Sequence, residues 1–249
     1  MVRGIFSKKV PFSMVMIAFF YYVSFIQLLS AEEVCSLYVD VSTSAFSVLA
    51  YVFCAVPFST AFCEDMEHGY VKQVLIRSRK WKYVLSKLSA CFVSAVITFF
   101  GGNLLFIFIE SMRYPFVDIS GNYFDSPLGG REMVRLFQSG HYVLYLVIKI
   151  FVSSLWGGVL ASVAACVSLY LKNKMAVICT PMLVHYFGGN FIRFYLDMPN
   201  RYNPMYVYDI FSDIMKGTGK SILYAVGYTL VLLVLLYVIC LRKIRRDYR

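Results

Sequence analysis

The chain has 249 residues, of which 59% are hydrophobic and only 15% are charged, and its mean hydropathy is +0.67. Soluble domains carry about 25% charged residues. The composition therefore excludes a single water-soluble domain and indicates a polytopic membrane protein. The net charge is +10, and the clustering of basic residues beside apolar runs explains it without a nucleic-acid partner.

Six apolar runs are long enough to cross a bilayer, which takes about 20 residues. They predict transmembrane helices over Val10–Ser30, Ser44–Phe62, Tyr83–Ile109, His141–Leu171, Met175–Ile192 and Ser221–Leu241. Pro181 and the Gly188-Gly189 pair interrupt the fifth run. The sequence therefore predicts an all-α polytopic membrane domain of six spans that occupies residues 1–249.

Most of the 24 Lys and Arg residues fall on one side of this arrangement. They lie before span one, between spans two and three, between spans four and five, and after span six. Loops rich in Lys and Arg remain in the cytoplasm, so we predict that both termini are cytoplasmic. The corresponding location is the plasma membrane, which in a bacterium is the inner membrane.

The predicted outer loops differ in composition from the spans. The last one, residues 193–220, mixes Tyr, Phe and Met with Pro and Asp. This mixture predicts short interfacial helices before span six, and a loop that forms an aromatic belt is the alternative. Of the seven Cys residues only Cys35 falls in an outer loop, so no disulfide framework is predicted.

No catalytic or metal-binding motif is complete. The stretch KGTGKS at Lys216–Ser221 resembles a P-loop, but GxxxxGK[ST] requires Gly where Ile214 stands. The three His residues lie on different elements, and neither HExxH, GxSxG nor the Cys and His spacing of a zinc site occurs. We therefore expect a chain that is not an enzyme and binds no metal or cofactor itself. Any ATP hydrolysis would require another chain.

Four polar residues within the predicted spans are candidates for a substrate path: Lys149, His185, Asn190 and Asn103. A charged Lys near the bilayer centre costs roughly 2.5–3.5 kcal/mol. Lys149 either lines a polar path, reaches the outer headgroups, or pairs with Glu110 at the end of span three. For the other three residues, a hydrogen bond between helices is the alternative to a ligand site.

Small residues recur every four positions in span four, at Ser153, Gly157, Ala161 and Ala165. Such a stripe allows another helix to approach closely. The approaching helix belongs either to the same chain or to a second subunit.

The main polar break in the chain is EDMEHGYVKQVLIRSRKWKYVLSK at Glu64–Lys87. An apolar stripe at helical spacing predicts an amphipathic helix over Glu64–Arg77. The stripe comprises Met66, Tyr70, Val71, Val74 and Leu75. The acidic residues are predicted in the first turn and the basic residues at the end, as the helix dipole favours, and Ser78 is predicted to cap span three. A solvated loop and a helix in the membrane plane are the alternatives.

With six spans, a short helix after span two, a fifth span broken by Pro and Gly and aromatic outer helices, the chain resembles the permeases of type-2 ABC transporters (ABC-2 type). Family members carry E-x-G near the start of the short helix, then a leucine-rich turn, Ser-Arg, an aromatic residue and a Lys entering span three. The corresponding residues here are Glu67-x-Gly69, Val74-Leu75, Ser78-Arg79, Tyr83 and Lys87. The chain lacks the Ser-Pro that commonly precedes Ser-Arg.

The resemblance implies that the short helix is a coupling helix, which docks into a groove of a separate cytoplasmic ATPase. The residues implied in this contact are Glu64, Asp65, Glu67, Gly69, Tyr70, Val74, Leu75, Arg77 and Arg79. Two ATPase copies, which hold ATP and Mg²⁺, would drive two permease chains, identical or homologous, between inward- and outward-facing states. The aromatic, nearly uncharged spans favour export of an amphipathic substrate such as a peptide, an antibiotic or a lipid-like molecule.

Two other functions are alternatives. One is a non-transport membrane scaffold, immunity or sensor subunit without an ATPase. The other is a secondary transporter, whose spans usually carry ionisable coupling residues; among the residues inside the predicted spans only Lys149 qualifies.

Overall fold

The computed structural model describes residues 9–28, 33–44, 46–116, 140–171, 173–188, 191, 202–208 and 218–247. Within these residues the regular secondary structure is entirely helical. In chain order the helices are α1 (Lys9–Leu28), α2 (Val34–Thr43), α3 (Ser47–Ala55), α4 (Ala61–Glu67), α5 (Tyr70–Arg77), α6 (Lys80–Ser111), α7 (Tyr142–Val167), α8 (Lys174–Leu183), α9 (Pro204–Val207) and α10 (Thr218–Asp247). A π-helical turn, Val184–Gly188, continues α8.

Four of these helices are long and apolar enough to cross a membrane. They are α1, α6, α7 and α10, and they correspond to predicted spans one, three, four and six. The prediction of an all-helical chain with helices able to cross a membrane is therefore confirmed. The count of six spans stays a prediction, because the other two predicted spans are divided.

The second predicted span, Ser44–Phe62, is not one helix. The chain forms α2, α3 and α4 instead, with one break after Thr43 and a second at residues 56–60. The segment between the first two predicted spans, residues 31–43, was predicted as an outer loop. It is largely the helix α2, in which Val34, Cys35 and Tyr38 are buried. The predicted placement of Cys35 in a loop is therefore wrong.

Serine hydroxyls and a proline account for the two breaks. Ser44 Oγ donates to the Val41 carbonyl at 2.8 Å, and Ser47 Oγ donates to the Ser44 carbonyl at 2.7 Å. These hydroxyls occupy carbonyls that a continuing helix would use. Pro57 lies in the second break and has no backbone N–H to donate.

Together, α2, α3 and α4 run antiparallel along α6. α2 begins beside the residues that follow α6. The Tyr51 ring of α3 stacks on Phe99 in the middle of α6, with ring centres 5.0 Å apart. The Phe62 ring of α4 lies against Tyr83 near the start of α6. The three short helices thus follow the path expected of one span.

The fifth predicted span, Met175–Ile192, is also divided. α8 contains Pro181 and passes into the π-helical turn after Leu183. Proline removes a backbone donor and crowds the preceding turn, which is a common cause of irregular helix. Gly189, Asn190 and residues 192–201 lie outside the described residues. Of the interfacial helices predicted before span six, the described part of the chain includes α9 alone.

Glycines allow α1 and α7 to approach α6 closely. A Cβ added to Gly102 of α6 would lie 2.7 Å from Ile17 Cβ on α1. A Cβ added to Gly158 of α7 would lie 2.7 Å from side-chain atoms of Phe92 and Val96 on α6. Because lipid tails are as apolar as the side chains, helices in a membrane associate through such close packing.

We predict that Gly102→Val destabilises the protein by about 1–3 kcal/mol, the cost of overpacking a core. Thermal unfolding in detergent, followed with a dye that reacts with newly exposed thiols, measures the change. Gly227→Val is the matched control, because nothing lies within 4 Å of a Cβ at Gly227 on α10. Equal unfolding temperatures for the two variants would contradict the packing.

Candidate functional site

The main polar break forms two helices joined by a turn. α4 and α5 meet at His68 and Gly69, and Gly69 has φ of 64°, a left-handed conformation that glycine adopts without strain. The prediction of one continuous helix over Glu64–Arg77 is therefore wrong. We call α4, this turn and α5 the elbow (residues 61–77). The glycine of the E-x-G pattern is the residue that permits the turn.

Three carboxylates of the elbow each contact a lysine from a different helix. The oxygen–Nζ distances are 3.9 Å for Glu64 and Lys9 of α1, 2.8 Å for Asp65 and Lys87 of α6, and 2.6 Å for Glu67 and Lys174 of α8. The elbow is thereby tied to three helices at one end of the molecule, which we call the lysine-rich end. Three of the regions that were assigned to one side of the membrane meet here.

Glu64 lies in the first turn of α4, as predicted. The positions of Glu67 and of Ser78 differ from the predicted ones. Glu67 is the last residue of α4, at the helix end where the dipole disfavours an anion. Ser78 Oγ donates to the Val74 carbonyl at 3.0 Å, so it ends α5 and does not cap α6. Lysines from other helices compensate the acidic residues instead. A pattern read along one helix does not show such partners.

The contact between Glu67 and Lys174 shifts the pKa of both groups. The hydrogen bond from Lys174 lowers the pKa of Glu67, and the same bond raises the pKa of Lys174. A carboxyl group whose pKa is lowered on folding stabilises the protein at pH values above its ordinary pKa. This stabilisation is lost as the pH falls through the lowered pKa. An ammonium group whose pKa is raised on folding stabilises the protein at pH values below its ordinary pKa. This stabilisation is lost as the pH rises through the raised pKa.

We predict that Lys174→Gln lowers the unfolding temperature at neutral pH and that this difference disappears in acid. The difference is expected to vanish as the pH falls through the lowered pKa of Glu67, below the ordinary value of 4.5. The measurement is thermal unfolding of wild type and Lys174→Gln across this range. Lys243→Gln is the control, since Lys243 pairs with Asp247 of its own helix. A difference that persists in strong acid would exclude the ion pair as its cause.

Asp65 makes the more buried of the elbow's polar contacts. Its carboxylate accepts a hydrogen bond from the Tyr83 hydroxyl at 2.6 Å in addition to the contact with Lys87. Glu64 is half exposed and lies at the outer limit of ion pairing with Lys9. The two acidic residues therefore form a natural comparison on one helix.

We predict that Asp65→Asn costs about 1–3 kcal/mol, because it leaves Lys87 and the Tyr83 hydroxyl without the carboxylate that they share. Glu64→Gln is expected to cost much less, because exposed pairs contribute about 0–1 kcal/mol. Chemical denaturation of both variants measures the two values. The reverse order would show that the 2.6 Å contact does not fix the elbow.

The outer surface of α5 is apolar at two positions. Val71 is buried, while Val74 and Leu75 pack against the core. Tyr70 is 53% exposed and Ile76 is 85% exposed. Arg79, the N-cap residue of α6, and the neighbouring Trp81 are also exposed. For Arg77, the backbone alone belongs to the described residues.

A second set of polar residues lies inside the helix bundle. The Tyr38 hydroxyl donates to Asn103 Oδ1 at 3.1 Å, and Lys149 Nζ lies 5.7 Å from the centre of the Tyr38 ring. Tyr38 and Asn103 are fully buried, and Lys149 is 6% exposed. The structure therefore brings two substrate-path candidates together around a tyrosine. Lys149 lies among helices, where an aromatic ring stabilises its charge.

His185 belongs to an adjoining aromatic cluster on the π-helical turn. Trp156 Nε1 donates to His185 Nδ1 at 2.9 Å, which leaves the hydrogen of a neutral imidazole on Nε2. The rings of Tyr51 and His185 have centres 4.7 Å apart, and Trp156 stacks on Tyr208. Since Tyr51 also stacks on Phe99, this cluster adjoins the Tyr38–Asn103 pair. Asn190 lies outside the described residues.

Sequence reasoning missed Tyr38, Tyr51, Trp156 and Tyr208. Many aromatic residues of a membrane protein face lipid or lie at the interface. The sequence alone therefore does not distinguish the few aromatic residues that are buried inside the bundle. A buried tyrosine hydroxyl or indole N–H requires a hydrogen-bond partner. Pairing these donors with the few polar residues in the spans was the signal that could have identified them.

Glu110 was the predicted alternative partner of Lys149. It is fully buried near the end of α6. Among the described residues, no group donates a hydrogen bond to either of its carboxylate oxygens. The predicted pairing is therefore absent, and Glu110 becomes a second ionisable residue inside the bundle.

The small-residue stripe of α7 faces other helices of the same chain at three of its four positions. A Cβ on Gly157 would lie 3.3 Å from the Phe99 ring, the Ala161 carbonyl accepts from Cys91 Sγ, and Ala165 is buried. Ser153 is partly exposed and its hydroxyl donates to the Ile150 carbonyl.

We predict that His185→Ala destabilises the protein by about 1–3 kcal/mol, because Trp156 keeps a buried N–H without an acceptor. His185→Asn retains an oxygen close to the position of Nδ1 and is expected to recover most of this loss. Thermal unfolding of the two variants measures the difference. Equal destabilisation would show that volume, and not the hydrogen bond, determines the effect.

The described residues contain no group of three or more His, Cys, Asp or Glu that could hold a metal ion, and no disulfide joins their cysteines. Comparison with protein-family models, with curated proteins and with solved structures finds no match for the chain.

Proposed function

We propose that the chain is the membrane subunit of an ATP-driven transporter of the ABC-2 type, and that it exports an amphipathic substrate. The permease works as a dimer of identical or homologous chains in the plasma membrane. Two copies of a separate ATPase bind at the lysine-rich end, which we place in the cytoplasm, and they hold the ATP and Mg²⁺. The observation that carries the proposal is the elbow, a short structured element that contacts three helices and exposes Tyr70 and Ile76 on its outer surface.

The exposed part of the elbow supports docking of a partner. A side chain such as Ile76, 85% exposed at the tip of a helix, gains free energy when a protein covers it. Burial of a large aliphatic side chain contributes about 1.5–3 kcal/mol. We therefore propose that Tyr70, Ile76, Trp81 and Arg79 form the contact with the ATPase.

The acidic residues have a different role in this proposal. Asp65 and Glu67 already contact lysines of the same chain, so they position the elbow and do not form the centre of the partner contact. This assignment refines the expectation that the acidic residues themselves meet the ATPase.

The three lysine contacts also support a coupling mechanism. A push on the elbow reaches α1, α6 and α8 directly, since each holds one of its carboxylates. α6 and α8 lie on opposite sides of α7 in the sequence, and both pack against α7. Movement of a single rigid element can therefore rearrange helices from both halves of the chain.

The buried polar and aromatic residues are the proposed substrate path. Tyr51, Trp156 and Tyr208 offer flat apolar surfaces, and His185 and Lys149 offer hydrogen-bond donors beside them. A site of this type suits a ligand with an apolar body and a polar group. The π-helical turn itself carries His185, and irregular backbone is tolerated inside a membrane protein where it is buried or lines a cavity.

A secondary transporter is the second candidate. Glu110 favours it, because a fully buried carboxylate inside a helix bundle can bind a coupling ion or proton. Uptake or efflux by the purified chain in vesicles, driven by an ion gradient without ATP and lost in Glu110→Gln, would decide for this candidate.

For the main proposal, we predict that an ATPase chain copurifies with the tagged full-length protein from its own cells. Ile76→Glu is expected to reduce the bound ATPase at least about tenfold, because it places a charge in an apolar contact. ATP hydrolysis in the purified sample, together with mass-spectrometric identification of a chain that carries GxxxxGK[ST], measures the association.

Met175→Glu is the matched control. Met175 is 71% exposed, lies at the lysine-rich end and belongs to α8, outside the elbow. It should leave ATPase binding unchanged. Absence of any ATPase from wild type rejects the transporter proposal, while equal loss in both variants rejects the elbow as the docking surface.

A further inference from the structure

Cys166 of α7 and Cys240 of α10 face each other inside the helix bundle. Their Sγ atoms lie 2.6 Å apart, and the side chains are 5% and 0% exposed. A disulfide bond is about 2.05 Å long. The two sulfurs are therefore within about 0.5 Å of bonding distance.

Neighbouring contacts hold the two helices in this register. On one side of the pair, Cys166 Sγ lies 3.8 Å from the Leu236 carbonyl, one turn before Cys240. On the other side, Lys243 Nζ lies 5.0 Å from the centre of the Tyr170 ring. The contact between Lys243 and Tyr170 involves neither thiol, so the register of the two helices does not depend on the thiols alone.

We propose that Cys166 and Cys240 are a redox modification site, at which a hydroperoxide converts the two thiols into a disulfide that joins α7 to α10. One thiolate attacks the peroxide oxygen, which gives a sulfenic acid and releases an alcohol. The second thiol attacks the sulfenic sulfur, forms the S–S bond and releases water. In total, two thiols lose two electrons and two hydrogens, and one hydroperoxide becomes one alcohol and one water. A dithiol reductant reverses the reaction.

The site does not depend on the proposed transport function. It would fix two long helices to each other near the lysine-rich end, across the 74 residues that separate the two cysteines. The chemistry identifies the oxidant class as a small hydroperoxide, because the thiols are buried and a large disulfide reagent has no access to them.

The test uses the full-length protein in detergent, treated with hydrogen peroxide or cumene hydroperoxide, then denatured, alkylated and digested with trypsin. Cys166 and Cys240 lie in separate tryptic peptides, Ile150–Lys172 and Ser221–Arg242. We expect a joined peptide whose mass is about 2 Da below the sum of the two, and about a tenfold loss of alkylation at both cysteines. Dithiothreitol should reverse both effects.

Two variants serve as controls. Cys240→Ser removes the joined peptide. Cys54→Ser changes another buried cysteine and keeps the joined peptide, so it separates general loss of a thiol from loss of this pair. Cys179 is exposed and should remain open to alkylation after dithiothreitol in every sample.

Three results would overturn the proposal. They are the absence of the joined peptide in oxidised wild type, a partner other than Cys240 for Cys166, and a bond between two chains. A mixture of isotopically light and heavy protein distinguishes the last case, because a bond within one chain gives no mixed-label peptide. Wild type and Cys54→Ser suffice for the decision if Cys240→Ser does not fold.

Discussion

Close contact of α1 and α7 with α6 is the constraint on which the other contacts depend. Gly102 and Gly158 carry no side chain where these helices meet, and the neighbouring side chains fill that space. In lipid, this packing supplies the association that water would otherwise drive. Once the three helices are close, the polar side chains between them lose access to solvent. Asn103 then has to find its partner within the protein, and Tyr38 supplies it.

Breaks in the helices place irregular backbone in the interior, where each unpaired N–H or carbonyl is costly. At the first break, serine hydroxyls reduce this cost because they donate hydrogen bonds to carbonyls of the preceding turn. After α8 the chain stays helical as a wider π-helical turn, and His185 on this turn accepts a hydrogen bond from Trp156. The π-helical turn therefore also determines where the polar group of His185 lies among the aromatic rings.

Hydropathy predicted the long helices well, because a run of about 20 consecutive apolar residues is typical of a transmembrane helix. It predicted the second and fifth spans poorly, since a window average does not register a Ser–Ser contact or the effect of one proline. The charge pattern predicted that Lys9, Lys87 and Lys174 share one side, and all three meet the elbow. It did not predict their partners, because pairing across helices depends on packing. The E-x-G pattern identifies Gly69 from the sequence, but only the structure shows its positive φ.

The length of α6 has a consequence for the elbow. Its 32 residues extend about 48 Å at 1.5 Å per residue. The hydrocarbon core of a bilayer is about 30 Å thick. If α6 crosses it once, about 18 Å of helix stands outside, and Tyr83 and Lys87 near its start carry the elbow with it. Any part of this overhang at the start of α6 therefore moves the elbow, with Ile76 on it, away from the hydrocarbon core.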